Sequence, residues 1–160
     1  MDEHELTRLV EKFSGTVYRT AYCCLRNAAD ADDITQDTFL ALYTSDAKFA
    51  GDEHIRAWLI RVAVNRSRNL LRSFRYRTTV PLDEAGELPA QTQRQDGLLP
   101  IIMKLEPKYR VALYMFYYED MSVRQIAEAL GEKSTTVTTR LARARQRLKQ
   151  ILIKEGYDEY

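Results

Sequence analysis

The sequence contains few of the side chains that build metal centres and active sites. Its 160 residues include two histidines and two cysteines, and the two cysteines are adjacent. This leaves almost no room for a zinc or iron site built on histidine or on C-x-x-C motifs. The sequence also lacks a glycine-rich phosphate loop, a nucleophile elbow and a catalytic triad. We therefore expect no catalytic residues, no bound metal and no cofactor.

Long apolar runs are missing as well. No run of about 18 apolar residues occurs, so no helix is expected to span a membrane. The acidic start of the chain, Met1–Leu6, lacks the apolar segment of a secretion signal. The adjacent Cys23 and Cys24 cannot link distant segments, which favours a packing role in a reducing compartment. The sequence predicts a cytoplasmic protein without membrane insertion.

The net charge of +1 conceals two blocks of purely positive charge. Residues 56–80 contain seven arginines and no acid, and residues 133–154 contain seven Lys or Arg and no acid. Residues 1–55, in contrast, contain eleven Asp or Glu and five Lys or Arg. A helix face that only provides solubility usually mixes both signs, whereas a basic block suits a phosphate backbone. The pattern favours nucleic-acid contact over two solvated helix faces.

The apolar residues recur every three to four positions, and no alternating segment typical of a strand is found. We expect an all-α protein with two small helical domains, at 1–77 and 101–160, joined by a flexible linker at 78–100. The linker contains three of the four prolines and has no sustained period. In the first domain, a break near 27–30 precedes a helix capped by Asp30 or Asp32. A further helix is expected to begin near His54 or Ile55.

The second domain has the pattern of a helix-turn-helix. Ser122 and Gln125 form a capping box, Gly131 provides the turn, and Ser134 is expected to cap a long basic helix. Small polar residues in the first turns of that helix suit base edges, and the cations after them suit phosphates. The alternative is an ordinary helical hairpin with a basic outer face. The candidate DNA contacts are Ser134, Thr135, Thr136, Thr138, Thr139, Arg140 and Arg143, with Arg145 and Arg147 as further cations.

Two other features belong to the first domain. Its basic helix combines arginines with Trp58 and Asn65, as single-stranded nucleic acid requires. Trp58 lies on the apolar stripe and is expected in the core, so Asn65 is the better candidate for a base contact.

Upstream, Asp33 and Asp37 share one helix face. They favour a negative surface for a basic protein partner over a metal site, a catalytic pair or simple solvation.

Taken in order, these motifs resemble the bacterial RNA polymerase sigma factors of the extracytoplasmic-function (ECF) type. The similarity extends from about Leu9 to Leu152. The stretch DDITQDTF resembles the family motif D-x-x-Q-E/D-x-F, and RAWLIRVAVN resembles R-A-W-L-x-R-I-A-x-N. The matching segments are 32–39, 56–65, the L-P-x-x-x-R-like segment 105–113, and the helix-turn-helix segments 122–131 and 136–145. Departures at Thr138 and Ala142, where the family commonly has Lys and His, leave the −35 sequence preference open.

The resemblance implies an alternative sigma factor that binds core RNA polymerase, recognises the −35 and −10 promoter elements and promotes melting. The implied partners are the β′ coiled coil of core polymerase, promoter DNA and an anti-sigma factor, with no small-molecule substrate. The implied polymerase contacts are Asp33, Ile34, Gln36 and Asp37. The implied −10 contacts are Phe49, Arg56, Arg61, Asn65, Arg66 and Arg68. The implied −35 contacts are Thr136, Thr138, Thr139, Arg140 and Arg143.

Two other classes of protein compete with this interpretation. A stand-alone helix-turn-helix regulator would explain the C-terminal domain only, and it would usually need a dimerisation surface. A nuclease would need metal-binding carboxylates beside the basic blocks, but the acids cluster on a different helix. The regulator therefore stays as the alternative function.

Overall fold

The computed structural model describes residues 1–73 and 97–156. The chain divides into two compact units, Met1–Leu82 and Asp83–Tyr160. Every regular element in the described ranges is an α-helix, which confirms the predicted all-α class. Most of the linker predicted at 78–100 lies outside the described residues. None of the described helices is long and apolar enough to cross a membrane.

Three helices build the described part of the first unit: α1 (Glu3–Leu25), α2 (Ala28–Thr44) and α3 (Asp52–Arg72). Each packs against the other two. Their facing sides carry the apolar residues that the helical period predicted, and these are almost completely buried. Both cysteines are buried in this core, in agreement with a packing role. Among the described residues of the unit, the fully buried large side chains are Leu9, Leu25, Leu42, Leu59 and Ile60.

The predicted break between α1 and α2 is present, but the predicted cap is wrong. The N-cap of α2 is Asn27, whose Oδ1 accepts the Asp30 N–H at 2.9 Å. The helix therefore begins earlier than expected, and Asp30 lies inside its first turn. An acid at that position still interacts favourably with the positive end of the helix dipole. Helix α3 likewise begins two residues before the predicted His54, at Asp52.

Four helices build the described part of the second unit: α4 (Leu99–Ile102), α5 (Pro107–Tyr118), α6 (Val123–Leu130) and α7 (Ser134–Lys154). The short α4 was not expected, because it begins inside the segment assigned to the linker. Its residues Leu99 and Ile102 are buried, and it packs against α5 and α7. The buried Arg110 holds the following turn by donating to the Leu105 carbonyl at 3.0 Å.

The helix-turn-helix has the predicted local geometry. The Gln125 N–H donates to Ser122 Oγ at 3.1 Å, and the Ser122 N–H donates to Gln125 Oε1 at 2.8 Å, which completes the capping box. Gly131 ends α6 with a φ of 66°, in the left-handed region that favours glycine. The predicted cap of α7 is wrong: Lys133 is the N-cap, and Ser134 is already the first helical residue.

Candidate polymerase and nucleic-acid interfaces

The exposed side of α2 carries the predicted acidic surface. Asp33, Gln36 and Asp37 are all exposed, and their spacing places them on one face of the helix. Ile34 does not belong to this face. Its side chain is 7% exposed and forms part of the core, because it lies one residue, or about 100°, around the helix from Asp33. We therefore remove Ile34 from the surface contacts.

The same face of α2 contains two apolar residues that the sequence interpretation missed. Leu40 is 61% exposed and Tyr43 is 40% exposed. They follow Asp33, Gln36 and Asp37 at helical spacing, and that spacing was the signal that could have identified them. Exposed apolar side chains beside charged ones are typical of a surface that a partner protein covers. We call Asp33, Gln36, Asp37, Leu40 and Tyr43 the α2 face.

Helix α3 presents a second surface, which we call the α3 stripe. Its members are spaced three or four residues apart and therefore form one line along the helix. Arg61 and Asn65 are exposed on this line, and Trp58 and Arg68 are half-buried. Arg72, exposed at the end of the helix, extends the line. The stripe thus combines an aromatic ring, an amide and several cations on one side of α3.

Trp58 is not the core residue that the sequence predicted. It is half-buried, whereas Leu59 beside it is fully buried. The indole packs edge-to-face against Phe49, with ring centroids 5.7 Å apart and an interplanar angle of 77°. Phe49 belongs to the loop between α2 and α3 and is itself half-buried. The structure therefore brings the predicted −10 residue Phe49 to the beginning of the α3 stripe.

Two of the predicted −10 arginines lie off this stripe. Arg56 precedes Trp58 by two residues and so lies on nearly the opposite side of α3. Its side chain is 18% exposed, and its Nη1 is 3.9 Å from Glu53 Oε2. Arg66 is exposed but lies about 100° around the helix from Asn65. Arg56 is therefore not grouped with the other −10 candidates, and Arg66 lies on a different side of α3 from the stripe.

The start of α3 is tied to α1 by an ion cluster. Asp52 accepts hydrogen bonds from Arg8 and from Lys12, whose Nζ is 2.7 Å from Asp52 Oδ2. These hydrogen bonds hold the pKa of the Asp52 carboxyl well below its usual range. The bonds from Arg8 to Asp52 and Glu5 raise the pKa of the guanidinium in turn. The cluster fixes the end of α3 that lies next to the Phe49 loop.

The second unit has an open groove of about 310 Å³ along the first turns of α7. Most of the predicted −35 residues line it: Thr135, Thr136, Thr139, Arg140 and Arg143. Lys108 and Tyr109 complete the lining from the first turn of α5. Lys108 was not among the predicted DNA contacts. The signal for it was a cation directly after Pro107, at the start of a helix that packs against α7.

Ser134 and Thr138 do not line this groove. Thr138 is exposed, and its Oγ1 donates to the Ser134 carbonyl at 3.0 Å, a common use of a threonine hydroxyl within a helix. Arg140 lines the groove but also pairs with Glu132 in the turn, at 3.0 Å between Nη2 and Oε1. Among the groove cations, Arg140 is thus held by a partner, with 17% of its side chain exposed.

Arg145 and Arg147, predicted as further phosphate contacts, have partners within the unit. Arg145 Nε donates to Tyr117 Oη at 2.8 Å, and its guanidinium lies 5.4 Å from the centre of the Phe116 ring. Arg147 Nη1 is 3.3 Å from Glu106 Oε1. These contacts hold both side chains against α5 and the residue before it. The two arginines therefore help to pack α7 against α5, and neither lines the groove.

The two units together define a helical nucleic-acid-binding protein with a helix-turn-helix in its second half. Within residues 1–73 and 97–156, no three His, Cys, Asp or Glu side chains come together as a metal site requires. Residues 9–77 match Sigma-70 region 2, and residues 97–148 match Sigma-70, region 4. The chain therefore belongs to the sigma-70 family of RNA polymerase sigma factors, in the ECF group, and acts in promoter recognition and transcription initiation.

Similar proteins cover almost the whole chain. The ECF RNA polymerase sigma factor SigM of Mycobacterium tuberculosis is 28% identical, over 94% of this chain and 79% of SigM. SigW of Bacillus subtilis is 27% identical, over 94% of this chain and 90% of SigW. CnrH, solved in complex with the cytosolic domain of CnrY, aligns with a TM-score of 0.70 and 25% identity, over 97% of this chain and 92% of CnrH. RpoE, solved with the anti-sigma factor NepR from Bartonella quintana, aligns with a TM-score of 0.68 and 22% identity, over 92% of this chain and 96% of RpoE.

These similarities decide between the alternatives raised by the sequence. A stand-alone regulator leaves the first unit without a role, but that unit matches Sigma-70 region 2 over residues 9–77. The alternative of a stand-alone helix-turn-helix regulator is therefore wrong.

Proposed function

We propose that this sigma factor binds its partners through three separate surfaces. The α2 face binds core RNA polymerase, the Phe49 loop and the α3 stripe hold the melted −10 strand, and the α7 groove binds the −35 duplex. The observation that carries the proposal is the alignment of Phe49, Trp58, Arg61 and Asn65 along one side of α3. An aromatic ring, an amide and cations in a line suit an unstacked single strand far better than a duplex.

The α2 face supplies the contact to polymerase. Asp33 and Asp37 would attract a basic surface, and Leu40 and Tyr43 would provide the apolar area that a stable complex needs. The β′ coiled coil of core polymerase is the proposed partner. The similar sigma factor RpoE was solved with an anti-sigma factor, so we also propose an anti-sigma partner for this chain.

The −10 surface would act on separated strands. Removing a base from the stack costs a few kcal/mol, which new contacts to that base must offset. Asn65 is exposed and offers a donor and an acceptor to a base edge, and Phe49 offers a ring face or edge. Arg61 and Arg68, on the same stripe, would contact phosphates. Arg56 has no place in this arrangement, because it lies on nearly the opposite side of α3.

The −35 surface would read an intact duplex. Thr135, Thr136 and Thr139 line the groove and would face base edges, while Arg143 and Lys108 would contact phosphates. Neither unit needs a high affinity alone. When both are attached to the same polymerase, each raises the effective concentration of the other at its promoter element. We infer that the chain carries out no bond chemistry and acts in the cytoplasm, where polymerase and chromosome are located.

Run-off transcription with the full chain and bacterial core polymerase tests the polymerase surface. Templates drawn from a library of promoter-like duplexes supply the unknown promoter sequence. Asp33→Lys should reduce both capture of core polymerase and transcript yield at least about tenfold, because a like charge now faces a basic surface. Glu11→Lys makes the same charge change at an exposed residue of α1 and should leave both unchanged. Equal losses in the two variants would refute the α2 face as the contact.

A second comparison tests the −10 surface. Asn65→Ala should reduce strand opening, followed with a fluorescent base in the −10 element, and should preserve binding of a closed −35 duplex. Asn69→Ala is the matched control, because Asn69 is exposed on α3 but lies one residue beyond Arg68 and off the stripe. Loss of both opening and duplex binding in Asn65→Ala would mean that Asn65 supports the fold and does not contact a base.

A further inference from the structure

We propose that His54 is a positioning residue that holds the Phe49 loop in the conformation that presents Phe49 to DNA. The loop comprises residues 45–51, between α2 and α3. The proposal rests on the proposed role of Phe49 at the −10 element. His54 lies outside the family motifs at 32–39 and 56–65 and was not among the predicted DNA contacts.

The first contact is a hydrogen bond from the backbone of the loop. The Ala50 N–H donates to His54 Nδ1 at 3.0 Å. His54 is the third residue of α3, and Ala50 lies just before the N-cap, Gly51. The bond is a variant of a capping box, in which a side chain at the third helical position reaches back to an N–H before the helix. In this bond Nδ1 is the acceptor and therefore carries no proton.

The second contact is made by the ring of the same imidazole. The rings of Phe49 and His54 pack edge-to-face, with centroids 5.3 Å apart and an interplanar angle of 76°. Phe49 packs in the same manner on Trp58, one turn further along α3. The Phe49 ring is therefore held between two rings of α3. His54 contacts two consecutive loop residues in two ways: one through the backbone of Ala50 and one through the side chain of Phe49.

This double contact has a consequence for DNA binding. A loop that is ordered before binding loses less conformational entropy when a base arrives, so preorganisation increases affinity. His54 is exposed and forms none of the core, which separates the ordering of the loop from the stability of the helices. It also lies at the beginning of the α3 stripe, four residues before Trp58. A side chain with only an acceptor, or only a ring, can preserve one of the two contacts.

Three variants of the full chain separate the two contacts. His54→Asn keeps an acceptor near the position of Nδ1 and loses the ring, His54→Phe keeps a ring and loses the acceptor, and His54→Ala loses both. His4→Ala removes an exposed histidine of α1 and is the control. The loop is observed directly, because Trp58 is the single tryptophan of the chain and its fluorescence reports its surroundings. The exchange rate of the Ala50 amide proton, measured by NMR, reports the hydrogen bond.

We expect His54→Ala to change Trp58 emission, to accelerate Ala50 exchange and to weaken holoenzyme binding to a fork-junction −10 DNA by about 3- to 10-fold. His54→Asn should restore slow Ala50 exchange, and His54→Phe should restore Trp58 emission; each should recover part of the affinity. Binding of the −35 duplex and far-UV circular dichroism should not change.

The readouts distinguish the inference from the function on which it rests. Unchanged Trp58 emission and Ala50 exchange in His54→Ala would overturn the positioning role. A changed loop with unchanged fork-junction affinity would uphold the contact of His54 with the loop but overturn the −10 role of Phe49. A loss of affinity that neither Asn nor Phe recovers in part would also overturn the positioning role, because it would place His54 itself at the DNA.

Discussion

Arg8 of α1 forms a bidentate ion pair with Asp52 of α3, through both terminal nitrogens of its guanidinium. Nη1 is 2.9 Å from Oδ2, and Nη2 is 3.0 Å from Oδ1. The planar fork of arginine matches the two carboxylate oxygens, so the pair fixes direction as well as distance. Asp52 is the first residue of α3, directly after the loop that carries Phe49. The pair therefore determines where the loop joins the helix bundle.

This ion pair makes the stability of the first unit depend on pH. The pKa of Asp52 is lower in the folded chain than the value of about 3.9 expected when unfolded. A lowered pKa contributes stability above the unfolded value, and that stability is lost as the pH falls through the folded value. Asp52→Asn should therefore lower the thermal midpoint at pH 7, and the difference from wild type should shrink as the pH is lowered below about 4.

The midpoint of thermal unfolding, followed by circular dichroism at several pH values, checks this expectation. Glu53→Gln is the neighbouring control, because Glu53 is 85% exposed and its nearest Arg56 nitrogen is 3.9 Å away. It should change the midpoint little at any pH. A constant difference between wild type and Asp52→Asn across the whole range would contradict the proposed role of the carboxylate charge.

A single buried hydroxyl offers a way to stabilise the first unit. Ser67 of α3 is fully buried, and its Oγ meets no hydrogen-bond partner among the described residues. An unpaired buried hydroxyl costs free energy, so Ser67→Ala should increase the free energy of unfolding by about 0.5–1.5 kcal/mol. Ser73→Ala removes a hydroxyl that donates to the Leu70 carbonyl at 2.8 Å and should not stabilise. Urea unfolding distinguishes the two; a destabilised Ser67→Ala would show that the hydroxyl is satisfied.

Local patterns in the sequence were sufficient for much of the fold. The capping box of Ser122 and Gln125 and the turn at Gly131 depend on residues a few positions apart, and both were predicted correctly. Some errors concerned helix caps, at Asp30 and Ser134, and others arose where the outcome depends on rotation around a helix. Ile34 and Trp58 each lie one residue away from the assigned face, and a single residue is about 100° of rotation.

Contacts between distant residues could not be predicted from local patterns. Arg145 and Arg147 belong to the same basic block as Arg143, but their partners are 28 and 41 residues away in sequence. No local sequence pattern around the partners, Tyr117 and Glu106, indicates that they contact α7. The four-residue α4 was missed for a related reason: a helix of that length has no period, and its packing on α5 and α7 gives it its stability.

The different surroundings of Arg143 and Arg145 lead to opposite expectations. Arg143 lines the groove, so Arg143→Ala should weaken −35 duplex binding about tenfold and leave the midpoint of unfolding unchanged. Arg145 is bound to Tyr117 and packs on Phe116, so Arg145→Ala should lower the stability of the second unit by about 1 kcal/mol and affect DNA binding less. Fluorescence anisotropy with duplex DNA and thermal unfolding of both variants test this contrast. Equal losses of affinity in Arg143→Ala and Arg145→Ala would show that Arg145 also contacts DNA.

Lys108 extends the groove beyond the helix-turn-helix itself. A lysine that contacts phosphate holds the duplex without reading its sequence, so Lys108→Ala should weaken binding by a similar factor for every −35 sequence tested. The slope of log affinity against log salt concentration should also become shallower by about one, because one fewer counterion is released. Lys149→Ala removes an exposed cation of α7 that does not line the groove and should change neither quantity. If Lys108→Ala altered the ranking of −35 sequences and kept the salt slope, Lys108 would be contacting a base edge. The groove would then recognise one more base pair of the −35 element than the residues of α7 recognise alone.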